Sequence, residues 1–492
     1  MDVLDRAALV RQAAAVVLLP RRRWWAAAND AGLPAPLDEL QREISGTVVA
    51  RTSRGYDRAR RLYNTRFDAY HPLAVVYCQS VRDVQRTIAW SRKHGIRIAP
   101  RGGGHSYGGY SSVPGGVIID VSRMASVSIH PAGQATVGAG AKLIDVYAGL
   151  AAHGVTVPAG SCATVGIGGQ VLGGGAGFLS RKLGTTSDNL LGLTLVTADG
   201  RARTCSATEN ADLYWASRGG GGGNFGVATQ YRFRTTAIST VSTFSAGWRW
   251  AQAKAVIAAW QKWAPHAPDE LFSVCNLGSG GGSPTIHVSG QLIGPPRRLH
   301  TLLGPLVSAV APVSLSVKQR PYLSAVQYWA GCGPVSECRL EPFGRLTRAT
   351  FAAKSDYVRR ALPPAAAAVI VAAIERAPGG GSLLLDSYGG ELNRVPKAAT
   401  AFVHRDMLCS LQYLAYWGAP SQAAANIAWL RAFYAAMRPY VSGEAYVNYI
   451  DPDLAGRPEA YYASNLPRLR SIKRRFDPGN VFRFRQSIPL KL

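Results

Sequence analysis

Two glycine-rich stretches constrain this chain more than any other part of its sequence. Residues 100–109 read Pro-Arg-Gly-Gly-Gly-His-Ser-Tyr-Gly-Gly, and residues 158–177 hold Cys162 among repeated glycines. Glycine permits positive φ and lets backbone N–H groups approach a ligand, so the first loop suits a pyrophosphate. It follows neither the dinucleotide fingerprint that opens a helix nor the P-loop, which ends in Gly-Lys-Ser/Thr. Instead, each stretch holds one reactive side chain, His105 or Cys162.

Length and composition predict a folded protein of two domains. The chain has 492 residues, of which 47% are hydrophobic and 17% charged, and one core rarely serves so long a chain. Short strands and helices alternate around glycine loops up to about Thr236, which indicates an α+β domain. Ser80 is predicted to cap a helix over residues 81–94, and an Asp-Gly turn at residues 199–200 to join two strands as a hairpin. Later in the chain, residues 446–450 are predicted to form a strand. Alternating strands and apolar helices in residues 240–435 predict an antiparallel sheet with helices on one face. The other face is then free to line a substrate pocket.

The charge of the chain excludes few partners by itself. The net charge is +26, from 55 Lys and Arg against 29 Asp and Glu, which permits an anionic partner. The basic residues are scattered, however, and no nucleic-acid-binding motif is present, so a basic solvated surface is the preferred interpretation. No apolar run is long enough to span a membrane. No cluster with metal-ligand spacing occurs, so we expect no metal site.

The N-terminus and the cysteines leave the location open between secreted and cytoplasmic. An apolar stretch at residues 13–19 is followed by arginines at residues 21–23, the wrong order for a secretory signal, so it is a degraded signal or a helix. Among the seven cysteines, Cys332 and Cys338 share one loop and could form a disulfide. A disulfide would favour export; buried thiols are the alternative.

Four groups of residues carry a family resemblance. They are Arg101-Gly-Gly-Gly-His105-Ser-Tyr107; Gly160-Ser-Cys162-Ala-Thr-Val165-Gly-Ile-Gly-Gly169; Arg218-Gly-Gly-Gly-Gly-Gly-Asn-Phe-Gly226; and a closing group of Tyr446-Val-Asn-Tyr449, Tyr462-Ala-Ser-Asn465, Phe476-Asp-Pro-Gly-Asn-Val-Phe482 and Gln486-Ser-Ile488. Jointly they resemble the berberine-bridge-enzyme-like FAD-linked oxidases of the vanillyl-alcohol-oxidase superfamily. The resemblance covers residues 70–490. One departure is Ala163, where the family often has proline, which puts the stiffness of the loop in doubt.

The resemblance implies an α+β architecture with a PCMH-type FAD-binding domain and a substrate domain. We expect a helical extension at residues 1–65, the FAD-binding domain at 66–239 and the substrate domain at 240–439. Residues 440–492 would then return to the FAD-binding domain. Whether the protein is a monomer or a dimer stays open.

The resemblance also implies a flavin attached by two bonds, from His105 to the 8α-methyl group and from Cys162 to C6. A neutral imidazole and a thiolate are suitable nucleophiles for this chemistry. Taken singly, the histidine could instead bind phosphate and the cysteine could fill a core. Val165 occupies the position that controls oxygen access, and its small side chain resembles the oxygen-reactive members. Further flavin contacts are expected at Arg101, Gly102, Gly103, Gly104, Ser106, Gly160, Ser161, Gly166, Gly168, Gly169, Gly174, Gly177, Asp188, Gly226, Val227, Tyr446, Asn448 and Asn465.

Alcohol oxidation requires a group that accepts the hydroxyl proton while hydride leaves carbon. The resemblance places this base at Tyr449. A free phenol has a pKa of about 10, so Tyr449 must either be made more acidic or already share its proton with a neighbour. Asp386 and Tyr388 share one face of a predicted strand, and the resemblance implies that they assist the base or serve as a second one. The expected substrate contacts are Tyr107, Gln412 and Trp417; aromatic core packing is the alternative for these tyrosines and Trp417.

These expectations combine into a reaction. The chain is expected to oxidise an alcohol to a carbonyl and to reduce O₂ to H₂O₂, with a sugar, oligosaccharide or glycoside as the favoured small-molecule substrate. An alkaloid- or polyketide-like secondary metabolite is the alternative substrate. A carrier that holds flavin without catalysis is the alternative from another class, and the presence of Tyr449 and Asp386 argues against it.

Overall fold

Four sheets organise the part of the chain that the computed structural model describes, residues 34–280 and 282–491. Their strands are β1 (Thr47–Ala50), β2 (Ala74–Tyr77), β3 (Ile98–Arg101), β4 (Val117–Asp120), β5 (Val127–His130), β6 (Gln134–Gly138), β7 (Val155–Thr156), β8 (Leu190–Val196), β9 (Ala202–Cys205), β10 (Val227–Arg234), β11 (Thr236–Ala237), β12 (Thr240–Trp248), β13 (Leu271–Gly278), β14 (Thr285–Leu292), β15 (Ser314–Pro321), β16 (Phe351–Val358), β17 (Gly380–Ser387) and β18 (Cys409–Tyr416).

Fifteen α-helices accompany the strands in these described residues. They are α1 (Ala35–Glu43), α2 (Tyr56–Arg60), α3 (Val81–Lys93), α4 (Leu143–Ala151), α5 (Ile167–Leu172), α6 (Ser180–Leu183), α7 (Ala211–Ala216), α8 (Ala253–Trp263), α9 (Pro296–Ala309), α10 (Tyr322–Ala330), α11 (Pro364–Glu375), α12 (Glu391–Arg394), α13 (Ala423–Met437), α14 (Glu459–Tyr462) and α15 (Leu466–Phe476). No helix within the described ranges is long and apolar enough to cross a membrane.

The glycine loops belong to a region built on two sheets. One sheet has the order β1-β2-β4-β3 and the other has the order β5-β6-β10-β8-β9. The predicted helix before the first loop is α3, and Ser80 caps it by accepting a hydrogen bond from the Asp83 backbone N–H at 3.2 Å. The predicted Asp-Gly hairpin joins β8 to β9, with Gly200 at a φ of 79°.

The larger sheet has seven antiparallel strands in the order β15-β12-β14-β13-β17-β18-β16. Its strand β17 shows how the sheet divides its two faces. Leu383 and Leu385 point into a hydrophobic core shared with α8, α9, α11 and α13. The alternate side chains, Ser382, Leu384 and Asp386, line a cavity on the other face. The predicted sheet with one face on helices and one face open to a pocket is therefore present.

The two largest hydrophobic cores of the described residues lie in these two regions. One contains buried residues from 37–241 and 445–488, and the other contains buried residues from 244–437. Helix α10 is an exception to the expected boundaries, because Tyr322 and Val326 pack in the first core although they lie within residues 240–439. The exact domain boundaries stay a prediction.

Three expectations about local structure have a clear outcome. Residues 34–65 do not form a helical extension, because they contain β1, which pairs with β2 and so belongs to the first sheet; residues 1–33, with the apolar stretch, lie outside the described residues. The predicted strand at residues 446–450 is wrong, since a short 3₁₀ helix, Val447–Tyr449, occupies it. Cys332 and Cys338 form the disulfide that the sequence left open.

Candidate active site

A cavity of about 720 Å³ lies between the glycine loops and the open face of the seven-stranded sheet. Its walls come from residues 102–107, 160–166 and 482–485, and from β13, β14, β17 and β18. These segments are far apart in sequence, so the cavity exists only in the folded chain. Its size and enclosure are those of a site for a cofactor together with a small substrate.

The two glycine-rich stretches touch through their backbones. A Cβ atom on Gly103 would collide with the backbone nitrogen of Gly166, and one on Gly166 would collide with the backbone nitrogen of Gly103. Glycine is therefore required at both positions by this close approach. The contact brings His105 and Cys162, which the sequence separates by more than fifty residues, into one cavity.

The first loop offers unused hydrogen-bond donors. Among the described residues, the backbone N–H groups of residues 102–106 donate no hydrogen bond to the protein. Nη1 of Arg101 and Nε2 of Gln170 are buried in the cavity wall and also make no hydrogen bond to a described residue. Since buried donors are rarely left unpaired, these groups fit a polar, anionic ligand. They are suited to the pyrophosphate and ring carbonyls of FAD.

His105 lies in the cavity as a neutral imidazole. Burial, with the nearby positive charge of Lys142, lowers the pKa of His105 to about 3. Its Nε2 lies 3.0 Å from Thr164 Oγ1, and the ring stacks on Tyr63 with 4.0 Å between centroids. A neutral ring held in one orientation can act as a nucleophile toward a bound ligand.

Cys162 lines the same cavity with an exposed side chain. Gly169 is also exposed there, and a Cβ atom on it would meet no atom within 4 Å. The second stretch therefore presents an exposed thiol to the cavity. Val165 lies in the same wall, as the predicted role in oxygen access requires, and that role stays a prediction.

The catalytic candidates gather at the sheet side of the cavity. Asp386, Tyr388 and Tyr449 all line it. Burial raises the pKa of Asp386 to about 6, against the lowering effect of a hydrogen bond from Ser410 Oγ at 3.3 Å. Burial, followed by the charge of Asp386, raises the pKa of Tyr449 well above its ordinary value. The phenol is therefore protonated at neutral pH, and the carboxylate is the group able to take up a proton.

Aromatic rings hold Tyr449 in place. It stacks on Tyr107 at 5.3 Å with 14° between the planes, and it meets Tyr446 edge-on at 4.9 Å. Gln412 donates a hydrogen bond from Nε2 to Tyr107 Oη at 2.8 Å. The predicted substrate contacts Tyr107 and Gln412 thus lie beside the predicted base. Tyr388 donates to Tyr357 Oη at 3.3 Å, and burial raises its pKa above the ordinary range.

Tyr446 and Asn448 connect the closing segment to the second glycine stretch. Tyr446 Oη accepts hydrogen bonds from the Gly175 backbone N–H at 2.8 Å and from Asn448 Nδ2 at 2.9 Å. Asn448 Nδ2 also donates to the Gln170 carbonyl at 2.9 Å. Both side chains line the cavity. They stabilise the loop, and their contact with the cofactor stays a prediction.

Most of the remaining predicted flavin contacts also lie in the cavity wall. They are Arg101, Gly102, Gly103, Gly104, Ser106, Gly160, Ser161, Gly166, Gly168, Gly169, Gly177, Gly226 and Val227.

Four predicted site residues lie outside the cavity lining. Asp188 is buried in an ion pair with Arg405, and Asn465 donates to the Lys397 and Thr400 carbonyls. Gly174 packs against the ring of Phe402, and Trp417 lies beneath the guanidinium of Arg66. Each of the four is engaged by other parts of the protein, and its predicted contact with cofactor or substrate stays a prediction.

Sequence reasoning missed several residues that act on the site. Thr164 lies two positions after Cys162, so its place in the motif was a usable signal. Tyr63 and Lys142 carry no such signal, since only the folded chain brings them to His105. Ser410 was visible only through its register opposite Asp386 on the neighbouring strand.

Comparison with known proteins identifies the family. Residues 72–206 match the family described as FAD binding domain, and residues 445–489 match the family described as berberine and berberine like. Berberine bridge enzyme-like 3 of Arabidopsis thaliana is 33% identical over 462 residues, covering 87% of this chain and 86% of that protein. The chain belongs to the berberine-bridge-enzyme-like family of FAD-linked oxidoreductases. The FAD-linked oxidoreductase YgaK of Bacillus subtilis (strain 168) is 35% identical, covering 91% of this chain and 97% of that protein.

Solved structures of this family share the whole fold. BBE-like 1 of Physcomitrella patens has a TM-score of 0.86 at 32% identity, covering 93% of this chain and 99% of its own. A chitooligosaccharide oxidase has a TM-score of 0.84 at 28% identity, covering 93% and 100%. A variant of Phl p 4 described as a glucose oxidase has a TM-score of 0.85 at 28% identity, covering 93% and 99%. The predicted PCMH-type fold is confirmed, and the protein is an FAD-dependent oxidase of this family.

Proposed function

We propose that this oxidase converts a hydroxyl group of a sugar, oligosaccharide or glycoside to a carbonyl, with O₂ reduced to H₂O₂. The observation that carries the reaction is the position of Asp386 and Tyr449 in the cavity that also holds His105 and Cys162. Bound FAD supplies the acceptor for the hydride and passes the electrons to oxygen. The protein supplies proton transfer, orientation and the enclosure of the site.

A carbohydrate suits the cavity because its lining mixes polar and aromatic groups. On the sheet face, Asn276, Ser289 and Ser382 contribute an amide and two hydroxyl groups. Phe178 and Trp329 stack on each other in the same lining, at 4.3 Å between centroids. Sugars present hydroxyl groups and apolar C–H faces together, which such a lining can contact. The structural relationship to a chitooligosaccharide oxidase and a glucose oxidase supports the same substrate class.

Tyr449 and Asp386 would act together as the base. Because the raised pKa keeps Tyr449 protonated, the phenol accepts the substrate proton only as it releases its own. Asp386 is close enough for its charge to affect Tyr449, and we assign it as the final acceptor. Tyr107 and Gln412 orient the substrate beside this pair. Tyr388, which follows β17 and lines the same cavity, assists the base.

The substrate class is tested by measuring H₂O₂ release in air. The panel contains monosaccharides, oligosaccharides and glycosides, together with alkaloid- and polyketide-like alcohols. Turnover of carbohydrates above the other alcohols is the expected result. Turnover of the secondary metabolites alone would refute the carbohydrate assignment. Absence of both peroxide release and substrate-dependent bleaching of the flavin across the panel would favour a flavin carrier.

The activity is expected to fall as the pH is lowered through about 6, the pKa to which burial raises the Asp386 carboxyl. The carboxylate accepts the proton, so only its ionised form, present above this pKa, is active. Below it, kcat/KM should decrease about tenfold per pH unit. The measurement is kcat/KM by peroxide release between acidic and neutral pH. Asp386→Asn should lower the activity and remove this limb; an unchanged limb in that variant would exclude Asp386 as its source.

The flavin is expected to remain bound to protein after denaturation in acid, through His105 and Cys162. Each single variant, His105→Ala or Cys162→Ala, should retain covalent flavin through the other residue, whereas the double variant should release all of it. The measurement is the partition of flavin absorbance between acid-precipitated protein and supernatant. Complete release from the wild-type protein would refute both attachments, and release from one single variant would show that the other residue makes none.

A further inference from the structure

Two side chains to which the family resemblance assigned no role hold the imidazole of His105. The ring of Tyr63 lies against it, with 4.0 Å between centroids and 18° between planes. Thr164 Oγ1 lies 3.0 Å from Nε2 at the edge of the ring. Protein contacts therefore determine both the plane and the rotation of the imidazole. They engage Nε2 and leave Nδ1 as the nitrogen able to form a new bond.

Tyr63 is itself held by backbone contacts from two distant segments. Its N–H donates to the Gly104 carbonyl at 3.0 Å, next to His105 in the chain. Its carbonyl accepts from the Ala349 N–H at 3.3 Å, and the Ala349 carbonyl accepts from the Thr65 N–H at 3.0 Å. The stack is thus determined by tertiary structure on both sides of Tyr63. A ring fixed in this way can orient its neighbour at little further cost in entropy.

The surroundings also favour the uncharged imidazole. Burial opposes protonation of His105 and lowers its pKa, and the nearby charge of Lys142 adds to this effect. Lys142 Nζ donates a hydrogen bond to the Gly102 carbonyl at 3.0 Å. A histidine that forms a bond to carbon must present an unprotonated nitrogen. Orientation by Tyr63 and Thr164 and charge control by Lys142 therefore act on the same step.

We propose that Tyr63 and Thr164 are positioning residues that orient His105 for its bond to the flavin. This inference rests on the attachment at His105 proposed above. In that step an imidazole nitrogen bonds to the 8α carbon, and the nitrogen and the carbon each lose one proton. The two electrons released, with two protons, reduce the flavin ring, and O₂ then reoxidises it to give H₂O₂. Tyr63 and Thr164 take no part in the bond; they set the angle at which the nitrogen meets the carbon.

The experiment compares the two attachments separately. In a Cys162→Ala background only His105 can hold the flavin, and in a His105→Ala background only Cys162 can. Tyr63→Leu, Tyr63→Phe and Thr164→Val are placed in each background. Freshly purified protein is incubated with FAD in air, and the covalent fraction is measured over time by acid precipitation. Thermal unfolding of each variant checks that it is folded.

Selective slowing is the expected outcome. With only His105 available, Tyr63→Leu and Thr164→Val should attach flavin about tenfold more slowly, since a misaligned nucleophile loses orientation. Tyr63→Phe keeps the stacked ring and should attach flavin at the rate of its parent. With only Cys162 available, all three variants should match their parent.

Three results would overturn the proposal. Equal rates for all variants in the Cys162→Ala background would show that the contacts do not orient His105. Equal slowing in both backgrounds would show a general effect on the cavity. If the Cys162→Ala parent retained no flavin after acid treatment, the attachment at His105 would be refuted and this role with it, whereas the oxidase activity would be judged separately by peroxide release.

Discussion

A Tyr449→Phe variant is expected to lower kcat by about 10²- to 10⁴-fold, the usual contribution of a positioned acid–base group. The phenyl ring keeps the stack on Tyr107, so substrate binding, and with it KM, should change little. Only the hydroxyl that passes the proton toward Asp386 is lost. Steady-state peroxide release with the best carbohydrate substrate is the measurement, and the covalent flavin content should equal that of the wild type.

Tyr446→Phe is the matched control for this variant. Its ring meets Tyr449 edge-on at 4.9 Å, but its hydroxyl accepts from the Gly175 N–H at 2.8 Å and so serves the loop. Removing that hydroxyl should reduce kcat by less than about tenfold, since no proton passes through it. Wild-type turnover in Tyr449→Phe would remove Tyr449 from the proton transfer and leave Asp386 as the direct base.

An Asp188→Asn variant is expected to lower the free energy of unfolding by about 3–5 kcal/mol, because it leaves a buried guanidinium without its counter-charge. Asp188 accepts hydrogen bonds from Nη1 and Nη2 of Arg405, both at 2.8 Å, and from the Thr185 N–H at 2.8 Å. The two paired side chains are 8% and 1% exposed. Urea unfolding of the flavin-loaded protein is the measurement.

The stabilising contribution of Asp188 should also depend on pH. Burial alone would raise the pKa of this carboxyl, but Arg405 and the Thr185 hydrogen bonds outweigh burial and hold it below the ordinary value. The stabilisation is therefore complete above the ordinary pKa of an aspartate and is lost as the pH falls through the lowered one. In the Asp188→Asn variant, the free energy of unfolding should therefore fall less steeply at acidic pH than it does in the wild type.

Asp212→Asn is the control for the stability prediction. Asp212 pairs with Arg468 at the surface, where the side chains are 42% and 48% exposed, and such pairs contribute about 1 kcal/mol or less. A loss as large as that of Asp188→Asn would show that charge removal alone explains both results. Wild-type stability with weakened flavin retention in Asp188→Asn would instead support the ligand role predicted from the sequence.

The sequence was most informative where one local pattern carries the whole signal. The helix after Ser80, the Asp-Gly hairpin and the alternation along β17 follow from capping, turn and burial preferences that a few neighbouring residues decide. The stretch at residues 446–450 misled because its tyrosines, valine and isoleucine are residue types that are common in strands. In the fold Tyr446 instead accepts a hydrogen bond from the Gly175 N–H, and a 3₁₀ helix follows it in the chain.

For the site, motifs predicted which loops form the cavity but not every side chain that faces it. Most of the residues predicted to contact the flavin line the cavity. Asp188 instead forms an ion pair with Arg405, and Asn465 donates hydrogen bonds to backbone carbonyls. A polar residue inside a motif can serve the ligand or the loop that holds it, and the sequence does not separate these roles. The distinction depends on partners more than sixty residues away.

The sequence by itself determined the family and, with it, FAD as the cofactor, and it predicted that two glycine-rich loops, one with His105 and one with Cys162, form the flavin site. Local glycine content makes that possible, because the absence of a side chain is a property of the residue alone. The tertiary structure alone decided that Gly103 and Gly166 meet backbone to backbone and that Tyr63 stacks on the imidazole. Such contacts depend on the packing of distant segments, and the sequence near either loop contains no record of that packing.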